Sequence, residues 1–258
     1  MGILDKIIEA KKEEVVRLKE ETSVAQLQQI IAGLEPCRDF QGALKSSDCN
    51  IIAEVKCASP SRGLLVPDFD PLKIAQIYEH NGAAAISVLT DEKYFSGHKH
   101  YLTQIREKTN LPLLRKDFII DPIQIYETRA IGADAILLIV RALKTQLAEF
   151  ISISHETGLR PLVEIHTGEE LDFALNAGAE LIGINNRNLD TFVTDIDTSR
   201  RLKARIPESK IVVAESGIRN RNDIELLMRA GIHAFLIGEH LVIAPDIGKK
   251  LLGLTGEN

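Results

Sequence analysis

The stretch Ile131-Gly132-Ala133-Asp134-Ala135-Ile136, running on into Leu137-Leu138-Ile139-Val140, decides how this chain folds. It reads as a helix that stops on a glycine at the left-handed C′ position, then a tight turn, then a strand that is apolar on both faces. Three other stretches repeat the pattern: Asn81-Gly82-Ala83-Ala84-Ala85-Ile86, Ala177-Gly178-Ala179-Glu180-Leu181-Ile182 and Ala230-Gly231-Ile232-His233-Ala234-Phe235. Each follows an amphipathic stretch and enters a short apolar run. Helix starts are equally legible. Asp70-Pro71 and Asp121-Pro122 supply an N-cap followed by proline at the first helical position. Thr167 with Glu170, and Ser23 with Gln26, have the spacing of capping boxes.

Apolar runs occupy 51–55, 84–89, 112–114, 134–140, 161–163, 181–184, 211–214 and 234–237. Their starts lie 33, 28, 22, 27, 20, 30 and 23 residues apart, which suits one strand and one crossover helix per unit. Eight such units predict an α/β chain folded as a (β/α)8 TIM barrel. A doubly wound open sheet is the weaker alternative. It usually has fewer strands and wants a glycine-rich nucleotide loop, and neither GxGxxG nor GxxxxGK[ST] occurs. Ahead of the first strand, Ile3, Leu4, Ile7, Ile8, Val15 and Leu18 fall at helical spacing, and a second short helix runs from Ser23 to near Gly33. No Gly-, Ser- or Pro-rich linker follows. Residues 1–258 therefore read as one barrel domain, with 1–50 a helical extension packed on it.

Composition narrows the function. The chain has 258 residues, 45% apolar and 26% charged, with a formal charge of −6 and no Trp. An acidic chain is a poor nucleic-acid partner, although a few converging cations can still bind a small anion. No apolar run approaches the ~20 residues of a membrane span. Cys37, Cys49 and Cys57 have no CxxC spacing, and the histidines form no HExxH, so no metal site is expected. The first residues lack the apolar core of a secretion signal. A cytoplasmic protein, a monomer or weak homodimer, is expected.

In such barrels the chemistry sits where the strands end. The first run delivers Glu54 and Lys56, two apart and so on one face, then Ser59 and Ser61. The third delivers Lys116, the fifth Glu164, the sixth Asn185 and Arg187. The seventh delivers Glu215, Ser216 and Gly217, the eighth Gly238 and Glu239. Charges gathered inside a barrel cost several kcal/mol unless paired, so such a set implies function. Loops after strands 7 and 8 often bind phosphate through backbone N–H groups, which suits Ser216, Gly217 and Gly238, with Ser59 and Ser61 adding hydroxyls. His166 and His240 read as structural or peripheral, and Cys57 as a packing residue turned away from Lys56. Residues 57–69 have the makings of a mobile lid.

Taken together, these residues resemble the indole-3-glycerol phosphate synthase family over nearly the whole chain. The most specific pieces are Ile52-Ala53-Glu54-Val55-Lys56 with Ser59-Pro60-Ser61, and Leu114-Arg115-Lys116-Asp117-Phe118-Ile119. Val163-Glu164-Ile165-His166, Gly183-Ile184-Asn185-Asn186-Arg187 and Ala214-Glu215-Ser216-Gly217-Ile218 complete them. One departure is Glu239, where some relatives carry Ser or Thr; only its backbone N–H suits a phosphate. The resemblance implies conversion of 1-(2-carboxyphenylamino)-1-deoxyribulose 5-phosphate into indole-3-glycerol phosphate, CO2 and water, without cofactor or metal. It implies Lys116 as the acid at the ketone oxygen and Lys56 as the partner of the substrate carboxylate and a later acid. Glu164 would do acid/base work with Glu54 assisting, and Asn185 and Arg187 would orient the substrate. A phosphoribosylanthranilate isomerase is the nearest enzymatic alternative, but enzymes of that kind lack the Glu-x-Lys and the third-strand lysine. A barrel that only binds phosphorylated metabolites is the non-enzymatic one, and it would be expected to have lost Lys116 or Glu164.

Overall fold

The computed structural model describes residues 2–188 and 191–256. Eight parallel strands close into a barrel. They are β1 (Asn50–Val55), β2 (Ala85–Leu89), β3 (Leu113–Lys116), β4 (Ala135–Ile139), β5 (Arg160–Ile165), β6 (Leu181–Asn185), β7 (Ile211–Glu215) and β8 (Ala234–Ile237). Each pairs with the next in sequence, and β8 returns to β1 with Ala234 opposite Asn50. This is the (β/α)8 barrel that the spacing predicts.

The repeated glycines behave as the pattern requires. Gly82, Gly132, Gly178 and Gly231 have φ of 80, 93, 84 and 79°. The residue after each donates to the carbonyl five positions back, as Ala133 does to Thr128 at 3.2 Å, which closes the helix end. The next residue but one enters the barrel ladder: Asp134 N–H reaches Leu113 O at 2.9 Å. Ser23 with Gln26 forms a full capping box. Thr167 with Glu170 forms half of one. Thr167 accepts from the Glu170 N–H, but the Glu170 carboxylate turns to the backbone and ring of His166 instead.

Alternation along the strands builds the interior in two storeys. Ile52, Leu114, Leu162, Val213 and Leu236 belong to the apolar barrel interior, which Phe40 and Leu44 join from ahead of β1. Two residues further along the same strands come Glu54, Lys116, Glu164, Glu215 and Gly238, all lining a cleft at the C-terminal mouth. The strands β3 and β5 run past their apolar stretches, because ladder bonds do not depend on side-chain polarity. Glu164 pairs opposite Ile139 on one side and Gly183 on the other. Lys116 and Glu164 therefore sit within strands rather than on loops, which holds them rigidly.

The extension folds as α1 (Ile3–Glu21) and α2 (Val24–Ala32). Val15, Leu18, Leu27 and Ile123 form one apolar cluster that fastens both helices to the barrel's outer layer. At its N-terminal end Ile3, Leu4 and Ile7 wall the cleft at the mouth. No described helix is long and apolar enough to cross a membrane.

Candidate active site

Lys116 lies at the centre of the mouth. Its Nζ is 2.9 Å from Glu164 Oε2 and 3.2 Å from Glu215 Oε2. Beside them Lys56 Nζ is 3.3 Å from Glu54 Oε1. The three carboxylates are buried, Glu54 at 4%, Glu164 at 2% and Glu215 at 1% exposure, so water offers them little screening. Two glycines make room for this crowding. A Cβ at Gly183 would collide with Glu215 Oε1, and one at Gly238 with Glu54 Oε1.

Three carboxylates share two ammonium groups, and the site resolves the imbalance unevenly. Burial opposes the Lys116 charge, but Glu164, Glu215 and Glu54 outweigh it and hold its pKa above the ordinary lysine value. Burial also pushes Glu164 up. Attraction to Lys116 and His166, with hydrogen bonds from Lys116 and Asn185, more than reverses this and leaves Glu164 well below the usual carboxylate range. For Glu215 burial wins. Lys116 pulls it down, yet Glu164 and Glu54 repel its charge, and its pKa rises to about 7. Its Oε1 is buried without a hydrogen-bond partner.

The rim opposite is rich in hydroxyl and guanidinium groups. Arg187 donates to Ser61 Oγ at 3.4 Å, and Ser59 Oγ lies 3.5 Å from Ser61 Oγ. Asn185 Oδ1 accepts from the Arg187 N–H at 3.0 Å, which fixes the start of that loop. Ser216 and Gly217 are both left-handed, with φ of 66 and 82°. Asn186 holds the Ser216 carbonyl at 3.0 Å. Glu239 turns its carboxylate to the arginines: Oε1 is 3.0 Å from Arg62 Nε and Oε2 is 3.6 Å from Arg187 Nη2. All thirteen residues singled out from the sequence therefore line one cleft, of about 330 Å3.

Several lining residues were not visible in the sequence. Phe95 and Phe118 face each other at 5.9 Å between ring centroids, and Lys56 Nζ lies 5.4 Å from the Phe95 ring. With Ile3, Leu4, Ile7, Leu89, Leu137, Ile139 and Phe192 they give the cleft an apolar half. Arg62 was equally unmarked. Residue order could have pointed to Phe118, two past Lys116, but nothing marked Phe95 or α1. His166 stays outside the cleft yet touches Glu164 (3.5 Å) and Glu170 (3.3 Å). Burial lowers its pKa, but Glu170 and Glu164 outweigh that and raise it. His240 lines the cleft wall, whereas Cys57 does not. No cluster of metal-ligating side chains occurs among the described residues.

Fold and site together place the chain among the (β/α)8-barrel enzymes, which work at this end of the barrel. Solved structures bear out the fold. A thiamine phosphate pyrophosphorylase from Pyrococcus furiosus superposes with a TM-score of 0.60 at 16% identity, over 81% of this chain and 95% of that one. Sequence comparison is more specific. The family model for indole-3-glycerol phosphate synthase matches residues 4–254. The protein of that name from Chlorobium chlorochromatii (strain CaD3) is 50% identical over 251 residues, covering 96% of this chain and 98% of its own. That from Desulforamulus reducens is 48% identical over 252 residues, covering 96% and 95%. The chain belongs to the indole-3-glycerol phosphate synthase family, and so is a decarboxylating lyase of tryptophan biosynthesis.

Proposed function

We propose that the cleft closes the ring of 1-(2-carboxyphenylamino)-1-deoxyribulose 5-phosphate, with the residue roles that follow. The observation that carries this is the Lys116 ammonium, buried between two carboxylates and beside a second lysine. The substrate's aromatic ring rests against the apolar wall that Phe95 and Phe118 form together, its phosphate goes to Ser61, Arg187 and the backbone of Gly217 and Gly238, and its carboxylate to Lys56. Ser59, Ser216 and the Glu239 N–H complete the phosphate end.

The ring carbon bearing the carboxylate attacks the ketone carbon. The ketone oxygen gains negative charge and takes a proton from Lys116. An alkoxide is the stronger base, so the raised Lys116 pKa does not block this transfer. Stabilising that developing charge is the largest help available to the reaction. The carboxyl group then leaves as CO2, and its bonding electrons restore the aromatic ring. Finally the CH2 next to nitrogen gives up a proton and the hydroxyl departs as water. Glu164, held ionised, is the base, with Glu54 and Asn185 orienting the groups around it. Glu215, whose pKa is raised to about 7, recharges Lys116 when protonated, so that the same ammonium protonates the leaving hydroxyl. The departing water needs two protons. One comes back from the CH2 through Glu164, and one enters from solution through Glu215. Lys56, freed once CO2 has gone, is a further acid for that step.

The test is turnover followed by indole fluorescence, which stands clear because the chain has no Trp. Wild type should form indole-3-glycerol phosphate, and Lys116→Ala and Glu164→Gln should lose about 10²–10⁴ of kcat while remaining folded. Isomerisation of phosphoribosylanthranilate without indole formation, or near wild-type kcat in either variant, overturns the assignment.

A further inference from the structure

We propose that Lys11, on the N-terminal helix α1, is a positioning residue for the reaction: its ammonium ties the loop after β2 to the end of β3 and so holds the Phe95 ring against that of Phe118. The proposal rests on the placement of the substrate's ring given above.

Lys11 is only 1% exposed. Its Nζ meets Asp117 Oδ1 at 2.8 Å, Asp91 Oδ2 at 3.1 Å and Glu14 Oε2 at 2.7 Å, so each of its three N–H bonds has a carboxylate to face. Its neighbours on the same helix face, Ala10, Val15 and Leu18, are apolar and buried. Apolar side chains in place of the whole cluster would pack there at least as well, since a buried ion pair seldom stabilises more than its hydrophobic replacement. Docking α1 therefore does not by itself call for a lysine.

What the lysine joins supplies the reason. Asp117 stands between Lys116 and Phe118, both of which line the cleft. Its Oδ1 also accepts the Phe118 N–H at 2.8 Å, and so holds the backbone that aims the Phe118 ring. Arg115 grips the other oxygen at 3.1 Å and is itself held by Glu127 at 2.8 Å, so Asp117 is anchored from the barrel side. Asp91 has no such anchor. Its Oδ1 caps the short helix Glu92–Phe95 by accepting from the Tyr94 N–H at 2.8 Å. Its Oδ2 is buried with no hydrogen bond of good geometry, and the Lys11 charge is what faces it. Lys11 thus pulls the turn that ends in Phe95 toward the anchored Asp117 and Phe118. Phe95 in turn lies under Lys56. Burial opposes the Lys11 charge, but Asp117 and Asp91 outweigh it and keep the lysine protonated.

The test is steady-state kinetics on full-length variants, with Tm measured alongside. Lys11→Met keeps the length and removes the charge. It is expected to raise KM about tenfold and to change kcat much less, since the Phe95–Phe118 wall loses its fixed geometry while the reacting groups stay put. It also leaves two carboxylates facing each other, so its Tm should fall. Lys11→Met with Asp91→Asn removes that repulsion: Tm should recover and KM should stay high. Lys12→Met, on the exposed lysine that pairs with Glu9, should leave both unchanged. A normal KM in Lys11→Met, recovery of KM together with Tm in the double variant, or an equal rise in Lys12→Met overturns the proposal. Phe95→Ala separates this failure from that of the ring placement. Normal KM in Phe95→Ala sinks the placement, whereas raised KM there with normal KM in Lys11→Met sinks only the role of Lys11.

Discussion

Replacing Glu215 by Gln should make the protein more stable and less active. Three buried carboxylates share two ammonium groups at the mouth, and Glu215 is the one that burial and its neighbours raise from 4.5 to about 7. A shift of that size corresponds to about 3 kcal/mol. Because the folded-state pKa lies above the unfolded one, the contribution of Glu215 to stability is full below pH 4.5 and is lost as the pH rises to about 7. A neutral amide suffers no such loss. At about pH 8 the variant should therefore melt roughly 6–12 °C above wild type, taking ~2–4 °C per kcal/mol for a chain of this size. Toward pH 4.5 the difference should close. Turnover should fall at least about 10²-fold, because the amide has no proton to pass to Lys116. Calorimetry across this pH range, with fluorescence-detected turnover on the same samples, measures both. A gap in Tm that does not vary with pH, or a variant that melts below wild type at about pH 8, refutes the reasoning.

The same site makes other outcomes testable. In wild type kcat/KM should decline as the pH rises through about 7, the range in which Glu215 loses its proton, and Glu215→Gln should lack that limb. Lys116→Met should destabilise the protein near neutral pH by about 3–5 kcal/mol, since Glu164 and Glu215 lose the cation they share, which urea titration would read. Gly183→Ala should cost about 1–3 kcal/mol of stability and at least tenfold in kcat/KM, because the new Cβ takes the space of Glu215 Oε1. Arg187→Ala should raise KM about ten- to a hundredfold and leave the affinity for a phosphate-free analogue unchanged, as competition assays would show.

The fold was legible because its punctuation is local. A glycine at C′, as at Gly132, and an Asp-Pro start, as at Asp121-Pro122, act within a few residues and need no knowledge of the rest. The polar site was legible for a related reason. Strand alternation carries Glu54 and Lys56 to one face, and the barrel brings every strand end to one mouth. The apolar half was not legible, because Phe95 and Ile7 have no residue type that sets them apart from core. Only the path of α1 across the mouth gives Ile7 a role, and that path depends on contacts with residues far along the chain, such as Lys11 to Asp91. Strand limits slipped for a physical reason too: at Lys116 and Glu164 the ladder continues where apolar character stops. The uneven charge states of Glu164 and Glu215 were beyond the sequence, since both are glutamates at strand ends and only their neighbours separate them.

The Glu239 carboxylate has a consequence for how a substrate arrives. It spans Arg62, in the loop after β1, and Arg187, in the loop after β6, so three loops are already tied by an internal anion. A phosphate entering at the proposed position does not recruit scattered cations from solution. It would compete for partners already paired to Glu239. Association of this kind is an exchange of one anion for another. On the proposed placement, part of the phosphate's attraction would go to displacing the carboxylate, which would leave the product's phosphate easier to release.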